Sequence, residues 1–125
     1  FSEVELNSSD LISNNKFTII NIWASWCMPC RAEHSFLMDL SKNSKINLIG
    51  LNYKDRPKNA KKFINNLGNP FSKILIDPDG TISIKLGAYG IPETFIINKN
   101  NKIVKIFIGQ LNKKNLREIE RIVEQ

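Results

Sequence analysis

The chain has 125 residues, 42% of them hydrophobic and 24% charged, which is enough apolar material for a single domain over 1–125 with one core. Two cysteines are far too few for a disulfide-stapled scaffold. The net charge of +6 is spread over dispersed lysines such as Lys58, Lys61, Lys62, Lys113 and Lys114, with no arginine tract or interleaved aromatic patch, which argues against a nucleic-acid partner.

No apolar run approaches the ~20 residues of a membrane span, and no signal peptide opens the chain at Phe1. The expectation is a soluble domain trimmed from whatever precedes it. Phe1–Asn15 reads as an irregular or short-stranded lead-in. Lys16–Trp23 is a near-continuous apolar run, the pattern of a strand buried on both faces. Pro29 suits the first turn of a helix reaching about Lys42, with Ala32, Phe36 and Leu40 spaced as one apolar face. Ile46–Tyr53 reads as a second buried strand. Pro57–Leu67 reads as a helix with Ala60, Phe63, Ile64 and Leu67 on one face, stopped by Gly68.

Lys73–Asp77 predicts a short strand running into the turn Asp77-Pro78-Asp79-Gly80. Thr81–Leu86 fits helix and strand equally. Thr94–Asn98 and Lys102–Ile108 read as two strands of a hairpin joined by a polar turn. Asn112 can cap a last helix whose apolar stripe is Leu116, Ile119, Ile122 and Val123. This order predicts an α/β fold: a mixed central sheet flanked by helices on both faces, closed by a C-terminal hairpin and helix.

The two cysteines stand in Trp26-Cys27-Met28-Pro29-Cys30, between a strand and a helix. In sheets of this kind functional groups gather at the carboxyl ends of strands. A helix N-terminus carries unpaired N–H groups and about half a positive charge, which stabilise a thiolate. Residues at i and i+3 lie about 5–6 Å apart, within reach of a disulfide. The expected chemistry is thiol–disulfide exchange, with Cys27 attacking and Cys30 resolving the mixed disulfide. Cys27, nearer the helix tip and more exposed, should have the lower pKa, in a range of about 3.5 to 7.5. Zinc is disfavoured, since Cys27, Cys30 and the single histidine, His34, make only three of four ligands. Haem attachment needs a histidine where Arg31 stands.

Asn21-Ile-Trp-Ala-Ser-Trp-Cys-Met-Pro-Cys30 resembles the active-site segment of thioredoxin-like proteins, and Gly90-Ile-Pro-Glu-Thr94 resembles their cis-proline loop. Trp26-Cys-Met-Pro-Cys-Arg-Ala-Glu-His34, Asn52-Tyr-Lys-Asp55, Leu67-Gly-Asn-Pro70 and Leu86-Gly-Ala-Tyr-Gly-Ile-Pro-Glu-Thr-Phe95 are similar to the DsbE (CcmG) family of cytochrome c maturation. The resemblance runs from about Phe17 to Leu111; the lead-in before Phe17 is short and matches the family's N-terminal hairpin less clearly. It implies a thioredoxin-like fold and a monomeric periplasmic reductase tethered to the inner membrane. Apocytochrome c or maturation proteins would be its substrates, and a membrane thiol donor of the DsbD/CcdA type its source of electrons. The redox centre would be the Cys27–Cys30 disulfide, with no cofactor or metal.

By the same resemblance Pro92 is a cis-proline that leaves the Ile91 backbone free for a substrate strand. Asn21 stands where thioredoxin carries a buried Asp, and an amide cannot take a proton at neutral pH. The resemblance points instead to Glu33 and Glu93 as the bases; the bland readings are a solvated helix carboxylate and a loop carboxylate. Arg31 and His34 would lower the Cys27 pKa if they faced it, although a surface role suits His34 better. Trp26 would lid the active-site rim, Tyr89 would line a substrate groove, and Trp23 would only pack. Tyr53 and Asp55 match the family with no evident role. Competing readings are a general extracytoplasmic exchanger of the TlpA or ResA kind, an oxidant, and a non-catalytic adaptor pairing with peptides along the Pro92 loop.

Overall fold

The computed structural model of the chain describes residues 15–125, so the expected lead-in lies outside them but for Asn15. In order, the elements are β1 (Phe17–Trp23), α1 (Met28–Leu40), β2 (Ile46–Tyr53), α2 (Pro57–Leu67), β3 (Lys73–Asp77), α3 (Thr81–Leu86), β4 (Glu93–Ile97), β5 (Ile103–Ile108) and α4 (Lys113–Val123). The sheet order is β3-β2-β1-β4-β5. β1, β2 and β3 run parallel, and β4 is antiparallel to both β1 and β5. This is the expected mixed sheet. The central strand β1 is buried at every position, which explains its unbroken apolar run.

Alternation along the strands sorts the core into two layers. Ile19, Trp23, Leu48, Ile74, Ile96 and Phe107 face one side, where Leu37 and Leu40 of α1, Phe63 of α2 and Ile119 of α4 pack on them. Ile20, Ile22, Leu51, Leu75 and Phe95 face the other, covered by Ile82 and Leu86 of α3. Right-handed crossovers that step repeatedly toward the same sheet edge put α1 and α2 on one face. The chain's reversal before β4 puts α3 on the other.

Thr81–Leu86, open in the sequence, is a helix because Asp77 accepts from the Ile82 and Ser83 N–H groups and from Ser83 Oγ, at 2.7–3.0 Å. That carboxylate serves as an N-terminal cap set outside the helix. Gly68 closes α2 at φ 98°, as its position after the apolar stripe predicts. Asn112 forms a capping box with Asn115 at the start of α4.

Two details differ from the periodicity. The buried face of α1 is Cys30, Glu33, His34, Leu37 and Leu40, while Ala32 is exposed. Two polar side chains occupy that face, so the apolar spacing pointed about one residue away from it. Leu67, expected in the core, is exposed at the last turn of α2.

Candidate active site

Cys27 and Cys30 are joined in a disulfide, with Cα atoms 5.3 Å apart. Cys27 is the N-cap of α1, one residue before the helix begins. Pro29 has no N–H, and the Arg31 N–H is taken by the Cys27 carbonyl at 3.3 Å. The Cys30 N–H points instead at Cys27 Sγ, 3.3 Å away. The first turn of the helix therefore donates to the outer sulfur, the one whose thiolate it would stabilise. Cys27 is the less deeply buried of the two, by a small margin, and Met28 stands exposed at the tip.

A polar cluster lies under the helix. Asn21 is 0% exposed on β1, and the register sets it opposite Thr94 of β4. Its Nδ2 donates to Thr94 Oγ1 at 3.1 Å and to Glu33 Oε2 at 2.8 Å. The other Glu33 oxygen accepts the Leu111 N–H at 3.0 Å. Glu33 is also 0% exposed, so it is no solvated helix carboxylate. Burial raises its pKa from 4.5 to about 7, against the lowering effect of the bonds from Leu111 and Asn21. One turn from Cys30 there is thus a carboxyl that takes or gives a proton near neutrality.

Glu93, the first residue of β4, is buried and projects from the face opposite Thr94. Its Oε2 accepts the N–H groups of Tyr89 at 2.6 Å and Gly90 at 2.9 Å. It folds the loop that carries Pro92. The Ile91–Pro92 peptide is cis. Pro92 is buried and its carbonyl accepts from Gly109 at 2.9 Å. Half-buried Ile91 packs on the cluster that contains both cysteines, and its backbone N–H and C=O make no hydrogen bond among the described residues. Tyr89 is 93% exposed and Trp26 57%.

Arg31 and His34 find their contacts on Phe63 and the Gly68 carbonyl. The Arg31 guanidinium lies over the Phe63 ring, 4.9 Å from its centroid. His34 is buried, against a surface role: it meets Phe63 edge-on at 5.1 Å, and its Nε2 sits 2.8 Å from the Gly68 carbonyl. Burial lowers its pKa, which favours the neutral ring. Among the described residues no three metal-ligating side chains converge. Trp23 packs between Phe63 and Phe71 at 5.0 and 5.8 Å, a core role as expected.

The sequence offered no role for the Asn52–Asp55 segment, and the structure supplies one. Asp55 accepts from the Ser25 N–H at 2.6 Å, Ser25 Oγ at 2.7 Å, Arg56 N at 2.9 Å and Asn52 Nδ2 at 3.1 Å. Next to it the Lys54 carbonyl accepts from Trp26 Nε1 at 3.0 Å. The loop after β2 therefore clamps the turn that leads into Cys27. The family phrase Asn52-Tyr-Lys-Asp55 was the only signal of this, because the partners are 28–30 residues apart in the chain.

Residues 2–123 match the Redoxin family model. The chain is 40% identical over 110 residues to the thiol:disulfide interchange protein CycY of Rhizobium leguminosarum bv. viciae, covering 88% of this chain and 59% of that one. It is 42% identical over 104 residues to the thiol:disulfide interchange protein DsbE of Escherichia coli K12, covering 83% and 56%. The chain thus spans under three fifths of the length of these curated relatives. Among solved structures, StoA from Bacillus subtilis superposes with a TM-score of 0.69 at 26% identity, covering 85% of this chain and 83% of that one. A secreted Mycobacterium tuberculosis disulfide oxidoreductase homologous to E. coli DsbE superposes at 0.76 and 18% identity, covering 93% and 84%, a likeness of fold. The disulfide at the helix tip, the cis-proline loop and the family match agree: the chain belongs to the Redoxin family, has a thioredoxin-like fold, and is similar to thiol:disulfide interchange proteins of the DsbE type.

Proposed function

We propose that the chain is a thiol:disulfide oxidoreductase that reduces polypeptide disulfides outside the cytoplasm, with apocytochrome c or its maturation proteins as substrates. The observation that carries this reading is the Cys27–Cys30 disulfide at the tip of α1, with Cys27 Sγ receiving the Cys30 N–H. In the reduced form the Cys27 thiolate attacks one sulfur of the substrate disulfide. That bond breaks, a mixed disulfide forms, and the other substrate sulfur leaves and takes up a proton. Glu33 then accepts the proton of Cys30, whose thiolate attacks Cys27 Sγ and releases the second substrate thiol. Two electrons pass to the substrate and the chain is left oxidised. A membrane dithiol donor of the DsbD/CcdA type returns it to the reduced form.

The unpaired Ile91 backbone would align the substrate strand, with Pro92 setting the loop and Trp26 and Tyr89 flanking it. Glu93 would hold that loop in shape. By its resemblance to DsbE, the full protein would work in the periplasm as a monomer tethered to the inner membrane. Among the described residues no helix is long and apolar enough to cross a membrane. Substrate trapping tests the reading. Cys30→Ala should hold mixed disulfides through Cys27, and apocytochrome c or its assembly proteins should dominate the capture. A scatter of unrelated secreted proteins would point to a general exchanger, and no disulfide-linked species would overturn the enzyme reading.

A further inference from the structure

Beside the turn that leads into Cys27 lies a surface cleft of about 310 Å³. Its rim is Ser25 and Trp26, the two residues that lead into Cys27, and its floor is the Phe63 ring. Arg31, in the first turn of α1, enters from one side. Asn59, Lys62 and Asn66 enter from the other, spaced i, i+3, i+7 along one face of α2. The lining thus holds two cations and two amides and no acidic side chain. Neither Arg31 nor Lys62 has an ion-pair partner among the described residues. Arg31 is already set in place by its stacking on Phe63 at 4.9 Å. Asp55, which touches the rim through Ser25, has both carboxylate oxygens occupied by Ser25, Asn52 and Arg56.

We propose that this cleft is a substrate subsite for a carboxylate, an acidic side chain carried by the polypeptide near the cysteine that Cys27 attacks. The inference rests on the reading of the chain as a polypeptide disulfide reductase. Arg31 offers a planar donor fork, Lys62 a mobile ammonium, and the amides the remaining donors that a carboxylate needs. The site is open to water, so each cation contributes modestly, and the gain lies in which sequences are preferred and how fast they dock.

The test uses short peptides with one cysteine and one glutamate, the glutamate walked outward from the cysteine on either side, each with a glutamine twin. Binding is read by anisotropy of labelled serine analogues, which cannot react. Exchange is read as the rate at which the reduced protein cleaves the same peptides held as disulfide dimers. At one offset the glutamate peptide should bind and react about three- to tenfold better than its twin, and the preference should shrink in high salt. Lys62→Glu should abolish or invert the preference. Lys58→Glu, the same charge change on α2 outside the cleft, should preserve it. Equal binding of the twins at every offset would overturn the subsite, as would an equal response to Lys62→Glu and Lys58→Glu. A preference in binding with no disulfide cleaved would keep the subsite and sink the reductase reading; cleavage without preference would do the reverse.

Discussion

Replacing Glu33 by Gln should remove a pH dependence from the stability of this fold. Unfolded, the carboxyl titrates near 4.5; folded, burial moves it to about 7. Between those values the folded protein holds a proton that the unfolded chain has released, so stability falls as pH rises. The contribution is fully present below about pH 4.5 and lost once the pH passes about 7. At about 1.4 kcal/mol per pH unit, the loss across the window is about 3 kcal/mol. His34 works in the opposite sense. Its lowered pKa makes the folded state bind fewer protons below about 6.5, so stability rises with pH there. That effect is common to both proteins and cancels in their difference. The assay is urea unfolding of the disulfide forms of both proteins from about pH 4 to pH 8. The difference between Glu33→Gln and the parent should move in favour of the variant by about 3 kcal/mol over that range. Any constant offset reports the exchange of hydrogen bonds with Asn21 and Leu111. Parallel curves would refute the argument, because they would mean that Glu33 titrates alike in both states.

Asn21→Asp would set a second carboxylate against Glu33 Oε2, where the amide now donates at 2.8 Å. One of the two must then stay protonated, and the fold should lose about 2 kcal/mol or more between about pH 5 and pH 8 relative to the parent, read as a steeper fall of Tm with pH. Asp55→Ala strips partners from the Ser25 N–H and the Asn52 amide; it should cost about 2–3 kcal/mol in urea unfolding and slow exchange about tenfold by loosening the turn before Cys27. Asp55→Asn, which keeps an acceptor, should recover part of both. Gly50→Ala places a Cβ 2.8 Å from the Phe71 ring and from Trp23 Nε1, and should destabilise the core by about 1–3 kcal/mol with Cys27 reactivity retained in the folded fraction.

Much of the architecture was legible along the chain, because a strand buried on both faces and a capped amphipathic helix are written in neighbouring residues. β1, β2, α2 and α4 fall where the apolar runs and stop signals put them. Cys27 and Cys30 were legible for the same reason, as an i, i+3 pair at a helix start carries its chemistry locally. Thr81–Leu86 was not, since its helix depends on the Asp77 carboxylate reaching past the turn to cap it. His34 was misjudged because a polar residue on a helix reads as exposed until an aromatic pocket and a carbonyl are shown to receive it.

The sequence by itself determined the order of elements apart from Thr81–Leu86, the redox pair and the identity of the acids to consider. Only the tertiary structure decided where those acids sit and what they bond. The antiparallel pairing of β1 with β4 brings Asn21 beside Thr94, and the packing of α1 on that face drives Glu33 into the same pocket, closed by the Leu111 backbone. Glu93, one residue from Thr94, goes to the opposite face and accepts two N–H groups of the loop before Pro92. Asp55 becomes the clamp on the Cys27 turn only when β2 lies alongside β1. A carboxylate's protonation and its partners depend on how much water is left around it. That is set by which strands and helices close over it, a property of the packed fold that no local stretch of residues encodes.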